Sequence, residues 1–444
     1  MKSIPYCCRF LLACSTLVAG SIQASDSFTI TTPAGKGGAA GTGNADGTNS
    51  DARFYGPAGI ATTSGGNVFV ADGNAIRMAN HSGTNWVVST IAGYGPVHGL
   101  KDDTNGAARL NLPQGIALDQ QGTLFVADTL NRAIRTISPI GTNWVVTTIA
   151  GMTNGTGGVA SSADGTNNSA GFNDPYDLTL DAGGSVYVAD TGNNSIRKIT
   201  RFGTDWAVTT IAGQTLPGSA DGTNTSARFN GPAAIAVDSA TNLYVADFGN
   251  NTIRKISPVG TNWVTTTIAG MTNAPPGSTD GTNSAARFNQ PFGIAASPFG
   301  YLYVTDSGNN TIRKLYQQAA NWVVTTVAGL AGPAGAVDGT GSAARFSAPQ
   351  GIDIDSSGNL YVADYGNFTL RRGDLAVLMN NRLAASKLIV SWPIAATGFV
   401  AEAKTTLTAG SWLPVTNVPA AIGDEWFITN GLSGSANFFR LHHP

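Results

Sequence analysis

The stretch LYVADFGNNTIRKIS, residues 243–257, decides the fold of this chain. Its apolar run ends at Asp247, and Asn250, Asn251 and Arg254 follow within eight positions. Acidic, amide and basic groups this close together could form a metal site, a catalytic cluster, or a turn that needs polar side chains. The number of copies of the stretch distinguishes these possibilities.

The stretch recurs six times, at intervals of 56 to 62 residues. Its Asp residues are Asp72, Asp128, Asp190, Asp247, Asp306 and Asp364. Segments like NWVVTTIAG, which keep the same phase, contain Trp86, Trp144, Trp206, Trp263 and Trp322. DGTN-like turns contain Asp46, Asp102, Asp164, Asp221, Asp280 and Asp338. PxGIAxD-like runs begin at Pro57, Pro113, Pro175, Pro232, Pro291 and Pro349. Four landmarks in one phase predict a repeat architecture.

Each repeat predicts four short strands, of the types GIAVD, LYVAD, TIRKI and WVVTTIAG. These runs are rich in β-branched and aromatic residues, and Gly, Asn, Asp and Pro separate them. Four strands repeated six times indicate an all-β, six-bladed β-propeller. The second strand is apolar on both faces, which suits a sheet packed between two neighbouring blades.

The first three strands have six copies, but only five fourth strands carry the Trp. A sixth fourth strand stands near the other end of the chain, where FTITTPAG, residues 28–35, matches VVTTIAG. We therefore expect the N-terminal strand to complete the blade that carries Asp364 and so to pair an otherwise open sheet edge.

The VADxGNNxIRKI and PxGIAxD patterns resemble NHL repeats over roughly residues 28–372. The resemblance implies a six-bladed propeller, which agrees with the strand count. The first copy, GNAIRM, is one residue shorter than the others. We assign residues 25–374 to the propeller.

The repeat ends near Asp374, and a different pattern follows. Residues 375–386 are predicted to form a linker, and residues 387–444 a small, sandwich-like all-β domain. Its SWP…GF…TTL…W…V…FFRL pattern resembles a short C-terminal module found at the ends of many secreted bacterial proteins.

Residues 1–24 have the pattern of a secretory signal peptide, with Lys2 and Arg9 before an apolar run and cleavage expected after Ala24. Lipid attachment at Cys14 is the alternative. Either route predicts a secreted or cell-envelope protein with no transmembrane segment, because the apolar run is too short to span a bilayer. All three cysteines, Cys7, Cys8 and Cys14, lie in this segment, so the mature chain would have neither disulfides nor thiolate metal sites.

The charge of the chain argues against nucleic acid as a partner. Without residues 1–24, 23 basic and 27 acidic residues remain, and a nucleic-acid binder normally shows a basic excess. Of the acidic residues only Glu402 and Glu425 are Glu, so the propeller contains none.

A motif present in every blade is better explained by something that every blade needs than by a single catalytic centre. We interpret the opening stretch as a turn stabilised by Asp and Asn side chains, with the Asp paired to an Arg of the third strand. These Arg residues are Arg77, Arg135, Arg197, Arg254, Arg313 and Arg371.

The DGTN turns and the ARF segments after them lie, by strand parity, on the same face as the LYVAD turns, and long loops often carry binding sites. We expect the ARF Arg to pair with the DGTN Asp; these Arg residues are Arg53, Arg109, Arg228, Arg287 and Arg345, and the third blade has Gly171 instead. The alternative is that the Asp and Asn oxygens of the DGTN turns bind calcium, although an EF-type loop would also need a Glu.

Two enzyme classes resemble such propellers, and each lacks a part here. Peptidyl-hydroxyglycine lyases hold zinc with histidines, but His81 and His98 are expected on opposite faces. Gluconolactonase-like propellers place a metal on a cluster that includes a Glu, and this propeller has no Glu. No cofactor or metal ligand is therefore assigned, and no residue is assigned a catalytic role.

The positions at which the blades differ are the better candidates for a ligand site. After the Pro of each inner strand come Ala58, Gln114, Tyr176, Ala233, Phe292 and Gln350. The next position is Gly or Ala except in the third blade, which has Asp177, and Asp174 precedes the same strand. We predict a ligand-binding patch of Gln114, Tyr176, Asp177, Phe292 and Gln350; ordinary drift at a solvated rim is the alternative.

The sequence favours an exported, monomeric, non-catalytic binding or scaffold protein, which would take a protein or a glycan on its long-loop face. A metal-dependent hydrolase or lactonase with its site at the central channel is the alternative. A purely structural surface protein is the third possibility, since fold alone does not choose among functions.

Overall fold

The computed structural model describes residues 27–153 and 158–376, and the backbone of further strands between residues 380 and 442. Phe28–Asp374 form one compact unit, and the strands beyond Leu375 belong to a second. The signal peptide predicted for residues 1–24 lies outside the described residues. Among the residues described, no helix has the length and apolar character needed to cross a membrane.

The first unit is a six-bladed, all-β propeller in which each blade is a five-stranded antiparallel sheet. The first strands, nearest the centre, are Pro57–Thr62, Pro113–Leu118, Pro175–Leu180, Pro232–Val237, Pro291–Ala296 and Ile352–Ile354. The second strands are Val68–Asp72, Leu124–Asp128, Val186–Asp190, Leu243–Asp247, Leu302–Asp306 and Leu360–Asp364. The third strands are Ala75–Ser82, Ala133–Ile140, Ser195–Phe202, Thr252–Val259, Thr311–Gln318 and Thr369–Ala376.

The fourth strands are Asn85–Gly93, Asn143–Ala150, Asp205–Gly213, Asn262–Ala269, Asn321–Ala328 and, for the sixth blade, Ser27–Gly35. A short fifth strand, not predicted from the sequence, pairs with each of them. These outer strands come from the DGTN turns: Gly47–Thr48, Asp103–Thr104, Gly165–Thr166, Gly222–Thr223, Gly281–Thr282 and Gly339–Thr340.

Short 3-10 turns complete the blades. Ala39–Gly41 lies in the first long connection, and one turn follows each outer strand: Asn49–Asp51, Asn105–Ala107, Asn167–Ser169, Asn224–Ser226, Asn283–Ala285 and Gly341–Ala343. Five more follow the second strands: Thr129–Asn131, Thr191–Asn193, Phe248–Asn250, Ser307–Asn309 and Tyr365–Asn367. The next residue is left-handed, as at Asn251 with φ 54°, which explains why Asn is common there.

The core lies between neighbouring sheets, as the two apolar faces of the second strand predict. All five residues of Leu243–Asp247 are buried, and Tyr244 packs with Val304 and Leu302 of the next blade. Trp322 meets Tyr244 edge-on, with ring centroids 5.8 Å apart. Equivalent pairs join Trp86 to Tyr361, Trp144 to Phe69, Trp206 to Phe125 and Trp263 to Tyr187.

The predicted ring closure is confirmed. Ser27–Gly35 lies between Gly339–Thr340 and Thr369–Ala376 as the fourth strand of the sixth blade. Phe28 meets Tyr303 of the fifth blade edge-on at 5.6 Å. An N-terminal Phe therefore takes the position that Trp holds in the other five blades.

The second unit contains two antiparallel sheets. The four-stranded sheet has the order Asn380–Ala384, Lys387–Pro393, Glu425–Gly431 and Ala420–Ile422. The three-stranded sheet has the order Leu413–Pro414, Val400–Lys404 and Phe438–His442. Asn380–Ala384 falls within the stretch predicted as a linker. The sandwich arrangement stays a prediction.

Candidate ligand site at the channel mouth

The opening stretch forms a buried polar cluster, shown here for the fourth blade. Arg254 donates from Nη1 to Oδ2 of Asp247 at 2.8 Å, and from Nη2 to Oδ1 of Asp221 at 2.8 Å. Asn250 donates to the same Oδ2 at 2.7 Å, and the backbone N–H of Asn230 donates to Oδ1 at 2.8 Å. One Asp thus ties its turn to the third strand and to the long connection.

The Arg contacts of this cluster recur in all six blades, and the Asn contact recurs in the second to sixth blades. We call the cluster the Asp–Arg clamp. Its buried ion pairs are Arg77–Asp72, Arg135–Asp128, Arg197–Asp190, Arg254–Asp247, Arg313–Asp306 and Arg371–Asp364, with N–O distances of 2.6 to 2.9 Å. Both side chains of each pair are 0% exposed. The turn-and-ion-pair interpretation of the opening stretch is confirmed.

The expected partner of the DGTN Asp was wrong. Each DGTN Asp pairs with the clamp Arg of its blade, as Asp221 does with Arg254. The ARF Arg instead turns back on its own loop: Arg228 donates to the carbonyl of Thr225 at 2.9 Å. The third strand presents its Arg to both Asp side chains at once, whereas the short 3-10 turn before Arg228 offers nearer carbonyl acceptors.

Burial raises the pKa of the clamp carboxyls, although Arg, Asn and backbone donors oppose it. For Asp128 desolvation is the largest cause and raises the pKa to about 6, while Arg135, Asn131 and the Asn111 N–H lower it. Desolvation likewise raises the pKa of Asp190 to about 6. The clamp carboxylates already accept from several protein donors, so the clamp is structural.

The candidate site is a cavity of roughly 220 Å³ in the central channel, lined by the inner strands of all six blades. Gln114, Tyr176, Asp177 and Phe292 line it, so the structure brings four of the predicted site residues together. The fifth, Gln350, is not among the lining residues. Its side-chain Oε1 is buried and has no hydrogen-bond partner among the residues described.

Aromatic rings cluster on one side of the channel mouth. Tyr176 meets Phe292 edge-on at 5.8 Å, and Phe292 meets Phe248 at 6.0 Å. Burial raises the pKa of Tyr176, and the nearby Asp174 and Tyr365 raise it further. The ring of Tyr365 lies beside Gly56, where an added Cβ would be 3.1 Å from Cε2 of the ring.

The position after each clamp Asp explains why the rings lie where they do. Thr129, Thr191 and Ser307 donate their hydroxyls to the Pro carbonyl that opens the next inner strand. The fourth and sixth blades have Phe248 and Tyr365 at this position. Substituting a ring for a hydroxyl turns a structural contact into an apolar surface at the mouth.

Asp177 lies on the channel wall, half-buried. Its Oδ2 accepts from the backbone N–H of Ile235 in the next inner strand at 3.0 Å. Desolvation raises the pKa of Asp177 to about 7; the N–H groups of Ile235 and Leu178 lower it, and Asp353 raises it. A Cβ on Gly115 would lie 2.6 Å from Oδ1 of Asp177, so this carboxyl depends on a glycine in the preceding blade.

Asp353 is a second channel carboxylate that sequence reasoning missed. Its Oδ2 accepts from the N–H of Thr62 at 2.7 Å and from the Thr62 hydroxyl at 2.8 Å. Desolvation is the largest cause and raises the pKa of Asp353 to about 6. The hydrogen bonds from Thr62 and from the Ile354 N–H lower this pKa, and the nearby Asp355 raises it.

The remaining candidates lie outside the cavity. Asp174 stands on the rim with Oδ1 3.7 Å from Nε of Arg132. His81 is the penultimate residue of Ala75–Ser82 and contacts Trp86, while His98 follows the far end of the next strand, Asn85–Gly93. The described residues contain no group of three or more His, Cys, Asp or Glu that could hold a metal ion.

Comparison with known families agrees with the repeat pattern. The family described as NHL repeat matches residues 229–256 and 346–372, and the Teneurin NHL domain matches residues 98–200. These segments contain clamp turns of four blades, Asp128, Asp190, Asp247 and Asp364. The propeller contains NHL repeats.

Relatives of this NHL propeller are larger proteins. It is 29% identical over 328 residues to Protein SUPPRESSOR OF QUENCHING 1, chloroplastic, of Arabidopsis thaliana, with 69% of this chain and 29% of that protein covered. It is 28% identical over 342 residues to NHL repeat-containing protein 2 of Gallus gallus, with 70% of this chain and 45% of that protein covered. The chain thus spans less than half the length of either relative.

A solved structure with the same fold is described as an auxiliary nutrient binding protein from Bacteroides ovatus. Its TM-score is 0.58 at 16% identity, with 79% of this chain and 77% of that chain covered. At this identity the likeness shows the shared fold.

Three residues of the NHL propeller's mouth could have been found from the sequence. Asp353 stands in GIDID, where the aligned inner strands have Ala or Thr, and Phe248 and Tyr365 follow clamp Asp residues. Comparing every position of the repeat, and not only the two after Pro, would have exposed them. What the sequence could not show is that these positions converge on one cavity.

Proposed function

We propose that this NHL propeller is a non-catalytic binding or scaffold protein whose ligand site is the channel mouth. The observation that carries the proposal is the contact of Tyr176 with Phe292, at 5.8 Å beside the channel cavity. Neither ring is needed for the repeat, because the equivalent positions are Ala58 and Ala233 in other blades.

The chemistry of the mouth supports recognition of a partner. Aromatic rings offer large contact area with little side-chain entropy to lose, and Gln114 adds an amide that can donate and accept. Loops at one end of a rigid scaffold are a common location for binding sites. The clamp carboxylates already accept hydrogen bonds from protein donors, as Asp247 does. The clamp also recurs in every blade, whereas the residues of the mouth differ between blades.

We propose a protein or a glycan as the ligand class and a secreted or cell-envelope location, as the signal-peptide pattern of residues 1–24 suggests. We also propose that the chain acts as a monomer. The C-terminal strands would then serve attachment to a surface or a partner.

The test is a binding screen of the purified protein against a glycan array and a panel of exported proteins, repeated with Tyr176→Ala and Phe292→Ala. Phe202→Ala is the matched control, because Phe202 is an 81% exposed ring at the end of a third strand, away from the mouth. A ligand lost in both mouth variants and kept in the control supports the proposal. Ligands that survive both mouth substitutions contradict it.

A metal-dependent hydrolase or lactonase is the second candidate, and one observation favours it. Asp177 and Asp353 both line the channel cavity, and carboxylate oxygens are ligands for hard divalent ions. Stoichiometric divalent metal that is lost in Asp177→Asn and Asp353→Asn would favour this candidate over simple binding.

A further inference from the structure

The two channel carboxylates have no cationic partner among the residues described. Asp177 is stabilised by the N–H groups of Ile235 and Leu178. Asp353 is stabilised by Thr62 and by the Ile354 N–H. Every clamp Asp, in contrast, has its Arg. An ionised carboxylate that leaves water gains most from an opposite charge brought close to it.

The walls of the cavity add no compensating charge. The inner strands of the first, second, fourth and fifth blades read PAGIAT, PQGIAL, PAAIAV and PFGIAA, and none contains a titratable residue. Their Ile and Ala residues line the cavity. A ligand that enters here meets uncharged inner strands on most sides and two carboxylates on the others.

The two carboxylates lie at different depths on opposite walls. Asp177 pairs across its sheet with Ala189, whereas Asp353 pairs with Tyr361, whose counterpart in the third blade is Tyr187. Asp353 is therefore two residues further from the mouth, or about 7 Å along the strand. The third and sixth blades also face each other in a ring of six.

We propose that this channel takes a lysine side chain from a protein partner, with its aliphatic stem along the inner strands and its ammonium group between Asp177 and Asp353. The inference rests on the proposed binding role and names the group that is recognised. An ammonium group has three donors on a flexible stem and can reach two separated carboxylates, whereas the planar guanidinium of Arg suits one carboxylate bound through both oxygens.

The rings at the mouth fit the same ligand. Tyr176 and Phe292 stand where the stem and the backbone of the partner would pass, and an aromatic face attracts a cation as it enters. A basic side chain at this rim, Arg132, lies beside Asp174.

Binding of the lysine should depend on pH because it requires ionised carboxylates. The titratable groups around the two carboxylates are Asp355 behind Asp353, and Asp174, Tyr176 and Tyr365 at the mouth. Asp353 opposes ionisation of Asp177, and Asp355 opposes ionisation of Asp353, whereas an ammonium group would favour both. Affinity should therefore rise with pH as protons leave Asp177 and Asp353.

The probe is the capped peptide Gly-Gly-Lys-Gly-Gly, titrated into the full protein at pH 5 to pH 8, with norleucine in place of lysine as the neutral control. We expect the lysine peptide to bind at least about tenfold more tightly at pH 8 than at pH 5. Asp177→Asn and Asp353→Asn should each weaken it at least about tenfold. Asp51→Asn, which changes an exposed Asp in the 3-10 turn Asn49–Asp51 after an outer strand, should leave the affinity unchanged, and Tm values confirm that the variants fold.

Three results would overturn the inference. The first is that the norleucine peptide binds as tightly as the lysine peptide. The second is that neither channel substitution weakens binding of the lysine peptide. The third is that calcium or glucosamine competes for the site with a higher affinity than the lysine peptide has. If the lysine peptide fails while a ligand from the screen depends on Tyr176, the lysine inference is wrong and the proposed function stands.

Discussion

Thr32 donates from its hydroxyl to Oδ1 of Asp338 at 2.7 Å, although 306 residues separate them. Its backbone N–H also donates to Oδ2 of Asp338 at 3.2 Å. In the other blades a fourth-strand Thr makes the same contact within one repeat, as Thr267 does with Asp221. The N-terminal strand thus supplies the missing part of a repeated bond, and the Asp it reaches is also the partner of Arg371.

Thr32→Val should lower the free energy of unfolding by about 1 kcal/mol, since it removes a hydrogen bond to a half-exposed carboxylate and keeps the β-branched shape. Urea unfolding measures the change. Thr31→Val is the control, because the Thr31 hydroxyl makes only a 3.4 Å contact with the carbonyl of Arg372. An equal loss in both variants would mean that the strand, and not the Asp338 bond, is responsible.

The two Asp partners of one Arg should differ in their effect on stability. Asp247→Asn removes the buried charge opposite Arg254 and should cost about 3–5 kcal/mol, because a buried guanidinium is left without its closest anion. Asp221→Asn removes a 49% exposed partner of the same Arg and should cost about 1 kcal/mol or less. Thermal and urea unfolding of the two variants check this. Equal losses in the free energy of unfolding would show that the burial of an Asp does not determine how much it stabilises the clamp.

Stability should depend on pH through the channel carboxyl of Asp177. Its folded pKa of about 7 lies above the value of about 3.9 for an unfolded Asp, so between these values the folded chain binds more protons. Stability from this group is therefore present at low pH and is lost as pH rises from about 4 to about 7.

Asp177→Asn should remove the loss of stability that ionisation of Asp177 causes. The Tm of the variant minus the Tm of the unsubstituted protein should therefore rise by about 2 °C or more between pH 4 and pH 7.5. Differential scanning calorimetry at several pH values measures it. A Tm difference for Asp177→Asn that stays constant with pH would contradict the raised pKa.

Gly115→Ala should destabilise the propeller by about 1–3 kcal/mol. The added Cβ would lie 2.4 Å from Cα of Asp177, so one inner strand must move. Gly65→Ala is the matched control, because the nearest atom to its new Cβ is the Thr63 hydroxyl at 3.8 Å, and we expect a change within about 0.5 kcal/mol. Unfolding titrations compare the two variants. An unchanged free energy of unfolding in Gly115→Ala would show that the inner strand can move to accept the added Cβ at little cost.

Exhaustive EDTA treatment should leave the Tm of the protein unchanged to within about 1 °C. The clamp oxygens accept from Arg, Asn and backbone N–H groups, as Asp247 does from Arg254, Asn250 and Asn230. Metal content before and after treatment is the accompanying measurement. Stoichiometric calcium whose removal lowers the Tm would contradict the structural role of these oxygens.

The repeat period predicted most of the fold, because each copy carried its own turn and strand signals. Asp247, Asn250 and Arg254 fall in one turn whose chemistry is local, and six copies of it leave little freedom for another topology. The two-residue outer strands were missed because Gly47–Thr48 and its counterparts pair only through a long connection, which leaves no alternating pattern.

The site was predicted in part. Tyr176, Asp177 and Phe292 stood out because they depart from the repeat at positions beside the inner-strand Pro. Phe248 and Asp353 depart from it elsewhere. They belong to the site because Phe248 contacts Phe292 of the next blade and Asp353 lines the same cavity as Asp177, and both facts depend on the packing of the blades.

The sequence by itself determined the number of blades, the strand that closes the ring and the residues of the clamp, because these follow from local signals repeated in phase. Only the tertiary structure decided that the DGTN Asp pairs with the third-strand Arg and that Asp177 and Asp353 share one cavity. The physical reason is that partner choice and burial depend on distances between segments far apart in the chain. A repeat period sets the order of those segments, and packing sets how close they come.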